Sequence, residues 1–110
     1  MNNTFFATKV SIMNEFKLLS NKIGANWEDA IYGFSSDGRI GDSHLNVPGH
    51  DGKLGYGGTC FPKDVNAILK FGKKIKINLH TIEGGWKTNL EVRKEKDWED
   101  KIGRSISPKN

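Results

Sequence analysis

The stretch FFATKVSIMNEFKLLSNKI (residues 5–23) decides the fold. Phe5, Ile12, Phe16, Leu19 and Ile23 recur at helical spacing, and Phe6, Val10 and Met13 widen the apolar face. Gly24 follows where a left-handed C′ residue belongs. No capping residue precedes the pattern, so the start of this long helix is expected upstream of Met1. Going outward, Asn26 reads as an N-cap with Glu28 and Asp29 in the first turn. The short helix it opens is expected to bury Trp27, Ala30, Ile31 and Phe34 and to stop at Ser35-Ser36-Asp37-Gly38. Residues 38–59 form a loop that holds Pro48 and, between 41 and 58, six of the thirteen glycines. So long a loop in a small domain is usually functional or disordered, and Leu54 and Tyr56 argue against disorder. A third helix starts at Cys60 to Pro62, where proline is tolerated. It carries Phe61, Val65, Ile68 and Leu69 inward and is closed by Gly72. A fourth spans about Asn78 to Val92 with Leu79, Ile82, Trp86 and Leu90 on one face, weakened by Gly84-Gly85. Beyond Arg93 the chain is charged. Trp98 and Ile102 are candidates to pack there, and Pro108-Lys109-Asn110 is expected to fray. The expectation is an all-α domain with one long helix, shorter helices, and a glycine-rich loop before the cysteine helix.

The chain has 110 residues, 35% hydrophobic and 27% charged, and a formal charge of +4. That is one domain's worth of chain, too little for a two-substrate enzyme with its own nucleotide-binding domain. Three Trp, two Tyr and six Phe exclude a disorder composition. The single cysteine excludes a disulfide framework. No apolar run reaches the roughly 18 residues of a membrane span, and the N-terminus lacks the pattern of a signal peptide. A cytoplasmic setting without a membrane partner is therefore expected. Residues 1–64 carry six basic and seven acidic side chains, and residues 65–110 carry eleven and six. Lys70, Lys73, Lys74 and Lys76 supply most of that excess. They suit either a phosphate-bearing partner or, more simply, a solvated helix end whose dipole favours cations. No nucleic-acid partner is expected.

The chemistry concentrates in Gly55-Tyr56-Gly57-Gly58-Thr59-Cys60-Phe61-Pro62-Lys63-Asp64. A glycine loop runs straight into a helix start, and the cysteine sits at the junction. Unpaired N–H groups and the helix dipole favour a thiolate there. Asp64 follows four residues on, on the same helical face. This is the pattern of a nucleophile with a nearby carboxylate; a buried structural cysteine at a helix start is the alternative. Other readings fail. GxGxxG would need glycine at position 60. Gly52-Lys53 is followed by leucine, which rules out a phosphate loop. His44, His50 and Cys60 match no structural zinc spacing, and no metal is expected.

The decapeptide 55–64 resembles the catalytic-cysteine signature of the UDP-glucose/GDP-mannose dehydrogenase family. Asp37-Gly38-Arg39-Ile40-Gly41 is similar to the element that precedes it there, and Asn3 to Lys9 through Asn14-Glu15 to the start of that family's central helix. The three motifs stand in the family's order, and the resemblance covers residues 1 to about 93. Thr59 and Phe61 favour the UDP-glucose or GDP-mannose branch over the N-acetylmannosamine one, with UDP-glucose 6-dehydrogenases the nearest match. The implied fold is like the C-terminal domain of 6-phosphogluconate dehydrogenase.

The resemblance implies oxidation of a nucleotide sugar's C6 hydroxyl to a carboxylate with two NAD, through a thiohemiacetal and a thioester on the cysteine. Cys60 matches that nucleophile, Asp64 the aspartate that helps position water, and Asn3 an asparagine at the reacting centre. Arg39 matches an arginine reaching substrate on the other subunit of a homodimer formed through the long helix. Lys53, Leu54, Gly55, Tyr56 and Gly57 match the segment around the substrate, and Gly58 and Lys63 lie on the cofactor side. The family's catalytic lysine would fall before Met1, and Lys9 matches a different position. The Rossmann domain has no counterpart in the chain, so NAD binding by this chain alone is not expected. Residues 1–93 therefore read as a central dimerisation and catalytic-cysteine domain. Residues 94–110 lead toward a nucleotide-sugar-binding domain, with its boundary near Gly103-Arg104. Such a chain is not competent alone. A non-catalytic dimerisation module, or a remnant that pairs with a full-length partner, is the alternative, and a basic nucleic-acid-binding helical domain is a third class.

Overall fold

The computed structural model describes residues 1–99. Four helices follow in order: α1 (Asn2–Ile23), α2 (Trp27–Ser35), α3 (Cys60–Lys74) and α4 (His80–Val92). Among the described residues there is no strand, so the fold is all-α. The long helix α1 is the axis. It packs mainly against α4 and α3 and only lightly against α2.

The buried face of α1 is not the stripe of large apolar residues. Thr4, Ala7, Ser11, Met13, Asn14 and Ser20 are buried, whereas Phe5, Ile12, Phe16, Leu18, Leu19 and Ile23 are exposed. Small residues win the core side because α4 approaches closely. The Ser11 hydroxyl donates to the Gly85 carbonyl at 2.7 Å. A Cβ on Gly85 would meet Thr8 and Ser11 at ordinary van der Waals distance, 3.6–3.7 Å. Gly85 is thus a contact point between helices as well as a cost in helix propensity. α4 opens at His80, two residues later than expected, and turns Ile82, Trp86 and Leu90 toward Ala7, Tyr56 and Val65.

Gly24 closes α1 at φ 70°, and the Asn26 side chain caps α2 by accepting from the Asp29 N–H at 2.9 Å. α2 differs from expectation in its burial: Trp27 and Ile31 are half-buried, and Ala30 and Phe34 are exposed. With Met13, Phe16, Leu19 and Ile23 they line an open apolar hollow of about 300 Å³. Gly72 does not close α3. The helix runs on to Lys74, the Lys76 N–H bonds to the Lys73 carbonyl at 3.2 Å, and the Ile77 N–H bonds to the Gly72 carbonyl at 2.8 Å. This is a Schellman ending whose left-handed residue is Lys76 at φ 61°. Gly72 is kept small by Leu79, whose side chain lies 2.7 Å from where a Cβ would stand.

The loop 38–59 is part of the core. Leu45 and Val47 pack on Met13, with Trp27, Ile31 and Ile40 around them. Tyr56 joins the main cluster with Trp86 and Trp98, whose rings are 5.3 Å apart. Trp98 is fully buried. Ile102, Gly103-Arg104 and Pro108-Lys109-Asn110 lie outside the described residues.

Candidate active site around Cys60

The chain enters α3 through Thr59, whose own side chain makes no cap, and Cys60 is the first helical residue, exposed and unpaired in any disulfide. Asp64 lies one turn further along α3, half-buried, and its Oδ2 accepts from Asn3 Nδ2 at 2.9 Å. Residues 61 positions apart are joined by that bond, which ties the first turn of α1 to the first turn of α3. Asn3 and Asp64 thus meet at one end of the helix pair, one helical turn from Cys60.

A cleft of about 600 Å³ opens beside Cys60. Gly55, Tyr56, Gly57 and Gly58 line it as a glycine wall, His44, His50, Asp51 and Asp97 line it too, and Asn3 and Asp64 do not. Other expected contacts stand elsewhere. Lys53, Leu54 and Lys63 are exposed and do not line this cleft. Arg39 borders a separate hollow with Phe5, Lys9 and Ile40, and its guanidinium grips Asp37 with bonds of 3.0 and 2.7 Å. That grip holds the Asp37 carboxyl below the usual carboxylate range.

The glycine wall keeps its shape through polar side chains, of which only Asn14 lies in a stretch that carries the family resemblance. Asn89, fully buried, accepts from the Tyr56 N–H at 2.7 Å and donates to the Tyr56 carbonyl at 3.0 Å. Asn14 accepts from the Gly55 N–H at 3.1 Å, and Asp97 accepts from the Gly58 N–H at 3.2 Å. The buried Arg93 guanidinium reaches Asp51 at 3.0 Å, the Leu54 carbonyl at 3.3 Å and Asp97 at 3.4 Å. The glycines allow this close approach. At Gly55, φ 66°, a Cβ would run into the Asn89 side chain, and at Gly57 it would run into Asp97 and Arg93.

The electrostatics follow from the same contacts. Partial burial pushes the Asp51 carboxyl up, but the Lys53 N–H and the Arg93 guanidinium outweigh it and leave the group below its ordinary value. At Asp97 burial is likewise outweighed, by the Gly58 N–H and the Arg93 charge. Burial pushes the Tyr56 phenol up, so the ring serves as a neutral packing surface. His44 adopts φ 61° and stacks on Phe6, ring centres 4.5 Å apart, with Phe61 at 5.6 Å on the way to Cys60. Asn89 lies in no motif and stands out in the sequence only as a polar residue on a helix, and Arg93 marks only the end of the patterned sequence.

Fold and site together define an all-α domain that presents a cysteine at a helix start, under a latched glycine loop, with a carboxylate one turn away. Residues 1–91 match the model of the UDP-glucose/GDP-mannose dehydrogenase family, central domain, and the chain belongs to that family. It is 37% identical over 87 residues to UDP-glucose 6-dehydrogenase YwqF of Bacillus subtilis, covering 79% of this chain and 19% of that protein. It is 39% identical over 87 residues to the UDP-glucose 6-dehydrogenase of Rickettsia typhi, with the same shares. With the enzyme of that name from Rhizobium meliloti the identity is 47% over 68 residues, 62% of this chain and 14% of the relative. The chain spans about a fifth of the length of the first two relatives.

Proposed function

We propose that this chain supplies the nucleophilic cysteine and the dimer-forming surface of a nucleotide-sugar 6-dehydrogenase of the UDP-glucose to UDP-glucuronate type. The observation that carries the reading is the Asn3–Asp64 hydrogen bond one helical turn from an exposed Cys60. Two residues matched by the family resemblance are joined from two helices, and the third, Cys60, lies one turn earlier on α3. In the proposed chemistry the Cys60 thiolate adds to the C6 aldehyde of the sugar. A C–S bond forms, the carbonyl π pair moves to oxygen, and a proton from solvent completes the thiohemiacetal. Asp64, oriented by Asn3, is suited to hold the water that later hydrolyses the thioester. Residues 55–58 are suited to follow the substrate along the cleft.

NAD belongs to the complete enzyme in this reading, and the described residues do not fit it alone. They contain no strand and so no βαβ crevice. The Gly58 N–H is already bonded to Asp97, and Lys63 stands outside the cleft. The oxidations are therefore assigned to further domains, with residues 1–93 as the central unit, to whose core Asp97 and Trp98 also contribute. The dimer reading rests on Phe5, Phe16, Leu19 and Ile23, which are 69%, 44%, 59% and 71% exposed along one helix. Soluble monomers rarely leave so large an apolar face open. A two-fold pairing through α1 would also give the outward-facing Arg39 a route to the partner's cleft.

Three measurements test this. Incubated with NAD and UDP-glucose, the chain is expected to form no NADH, and NADH formation would contradict the division of labour. A nucleotide-sugar aldehyde is expected to protect Cys60 from iodoacetamide, and unprotected alkylation at millimolar aldehyde would count against the nucleophile. Light scattering is expected to give twice the 12.3 kDa chain mass, with Phe16→Asp restoring the monomer. The non-catalytic alternative would keep the dimer and lose the protection.

A further inference from the structure

The far end of α3 carries a second surface. Lys70, Phe71, Lys73, Lys74, Ile75, Lys76 and Ile77 are all exposed, and Phe71, Ile75 and Ile77 keep 58%, 47% and 52% of their area in water. No acidic residue occurs between Val65 and Glu83. Phe71 and Ile75 are four apart and share a helical side. The turn that displays Ile77 is held by its N–H bond to Gly72 and by Lys76 in the left-handed region. In a Schellman ending the apolar residue at this place packs back on the helix at one of two positions, which here are Gly72 and Phe71. Gly72 offers no side chain, and Phe71 and Ile77 both keep more than half of their area in water. A left-handed lysine and two half-exposed apolar side chains are costs that a merely solvated helix end would not need.

We propose that this end of α3 docks on an anionic lipid surface. Lysines around a few apolar side chains suit a membrane interface, where the apolar groups enter the headgroup boundary and the ammonium groups stay with anionic headgroups. A protein partner is less well matched: lysine is depleted in protein interfaces and lacks the planar fork that fixes carboxylates. The absence of a membrane span does not bear on this, because a surface-lying patch needs none. α3 is 15 residues long, so the patch stands about 20 Å from Cys60 at 1.5 Å per residue. Docking there leaves the cleft free, and the inference does not depend on the chemistry assigned to it.

The test is co-sedimentation of the full chain with phosphatidylcholine vesicles, with and without phosphatidylserine. Binding is expected only to the phosphatidylserine vesicles and is expected to fall steeply with added salt. Lys73→Glu with Lys74→Glu should weaken it at least tenfold, and Phe71→Ser several-fold. All three positions are exposed, and circular dichroism checks that the variants stay folded. Absence of binding, equal binding to neutral vesicles, or binding indifferent to these substitutions overturns the proposal. Capture of polyglutamate without vesicle binding would assign the face to an acidic protein. Self-association abolished by the lysine reversals, again without vesicle binding, would assign it to a second copy. Either result overturns a lipid role.

Discussion

Replacing Asn89 by alanine should loosen the wall of the cysteine cleft more than its distance from Cys60 suggests. Asn89 is fully buried and makes both hydrogen bonds to the Tyr56 backbone, at 2.7 and 3.0 Å. Alanine leaves a buried N–H and a buried C=O without partners, at about 1–3 kcal/mol each. Tyr56 borders an open cleft, so water can enter the vacated space and recover part of that loss. The expected destabilisation is about 2–4 kcal/mol, a large share of the roughly 5–15 kcal/mol that holds a domain together. At about 4–8 °C per kcal/mol for a chain of this size, Tm should fall by about 10–25 °C. Urea unfolding followed by the fluorescence of Trp86 and Trp98 measures it, with the slope m unchanged. Asn89→Asp is the control: it keeps the acceptor for the Tyr56 N–H but sets a carboxylate against the Tyr56 carbonyl, and it should be at least as damaging. A loss below about 0.5 kcal/mol for Asn89→Ala, within the range of neutral surface changes, would refute the idea that Asn89 holds the loop.

Three further outcomes follow from the same geometry. Gly57→Ala should destabilise and should speed alkylation of Cys60, because the added methyl displaces Asp97 and Arg93; an unchanged urea midpoint and alkylation rate would contradict this. The Asp51 and Asp97 carboxyls lie below their ordinary value in the fold, so their contribution is complete above the unfolded carboxylate pKa of about 3.9 and is lost as pH falls through the folded values. Acid unfolding should therefore steepen below about pH 4, and Asp51→Asn with Asp97→Asn should flatten it. Lys76→Gly should stabilise the chain by about 0.5–1 kcal/mol, as relief of the left-handed backbone outweighs the freedom glycine adds to the unfolded chain; a loss of stability would contradict the strain reading.

Helix positions were legible because their signals are local. Gly24 and Asn26 mark ends by their own backbone and side-chain chemistry, and Cys60 follows a glycine run that cannot continue as helix. Which face of α1 turns inward was not legible. Apolar spacing pointed to Phe5, Ile12, Phe16, Leu19 and Ile23, yet the core takes Ala7, Ser11 and Asn14. That side meets α4, where Ser11 bonds to the Gly85 carbonyl, a pairing between residues 74 positions apart. The ending of α3 was misplaced for a related reason: Gly72 is small because Leu79 lies against it, and a lysine took the left-handed turn. At the site, Cys60, Asp64, Asn3 and Asn14 lie in motifs, whereas Asn89, Arg93 and Asp97 hold the loop 51–58 from 33 or more positions away in sequence. Only the folded chain brings those together.

The central claim is that Cys60 captures an aldehyde at the C6 position of a nucleotide sugar. Carbon-13 NMR of the chain with a C6-labelled UDP-glucose aldehyde tests it directly, because the thiohemiacetal carbon resonates apart from the free aldehyde and its hydrate. The expected result is a thiohemiacetal signal that is lost in Cys60→Ser and kept in Asp64→Ala, since Asp64 is assigned to the later hydrolysis. No such signal at millimolar aldehyde, or one that persists in Cys60→Ser, would contradict the assignment of Cys60 as the nucleophile.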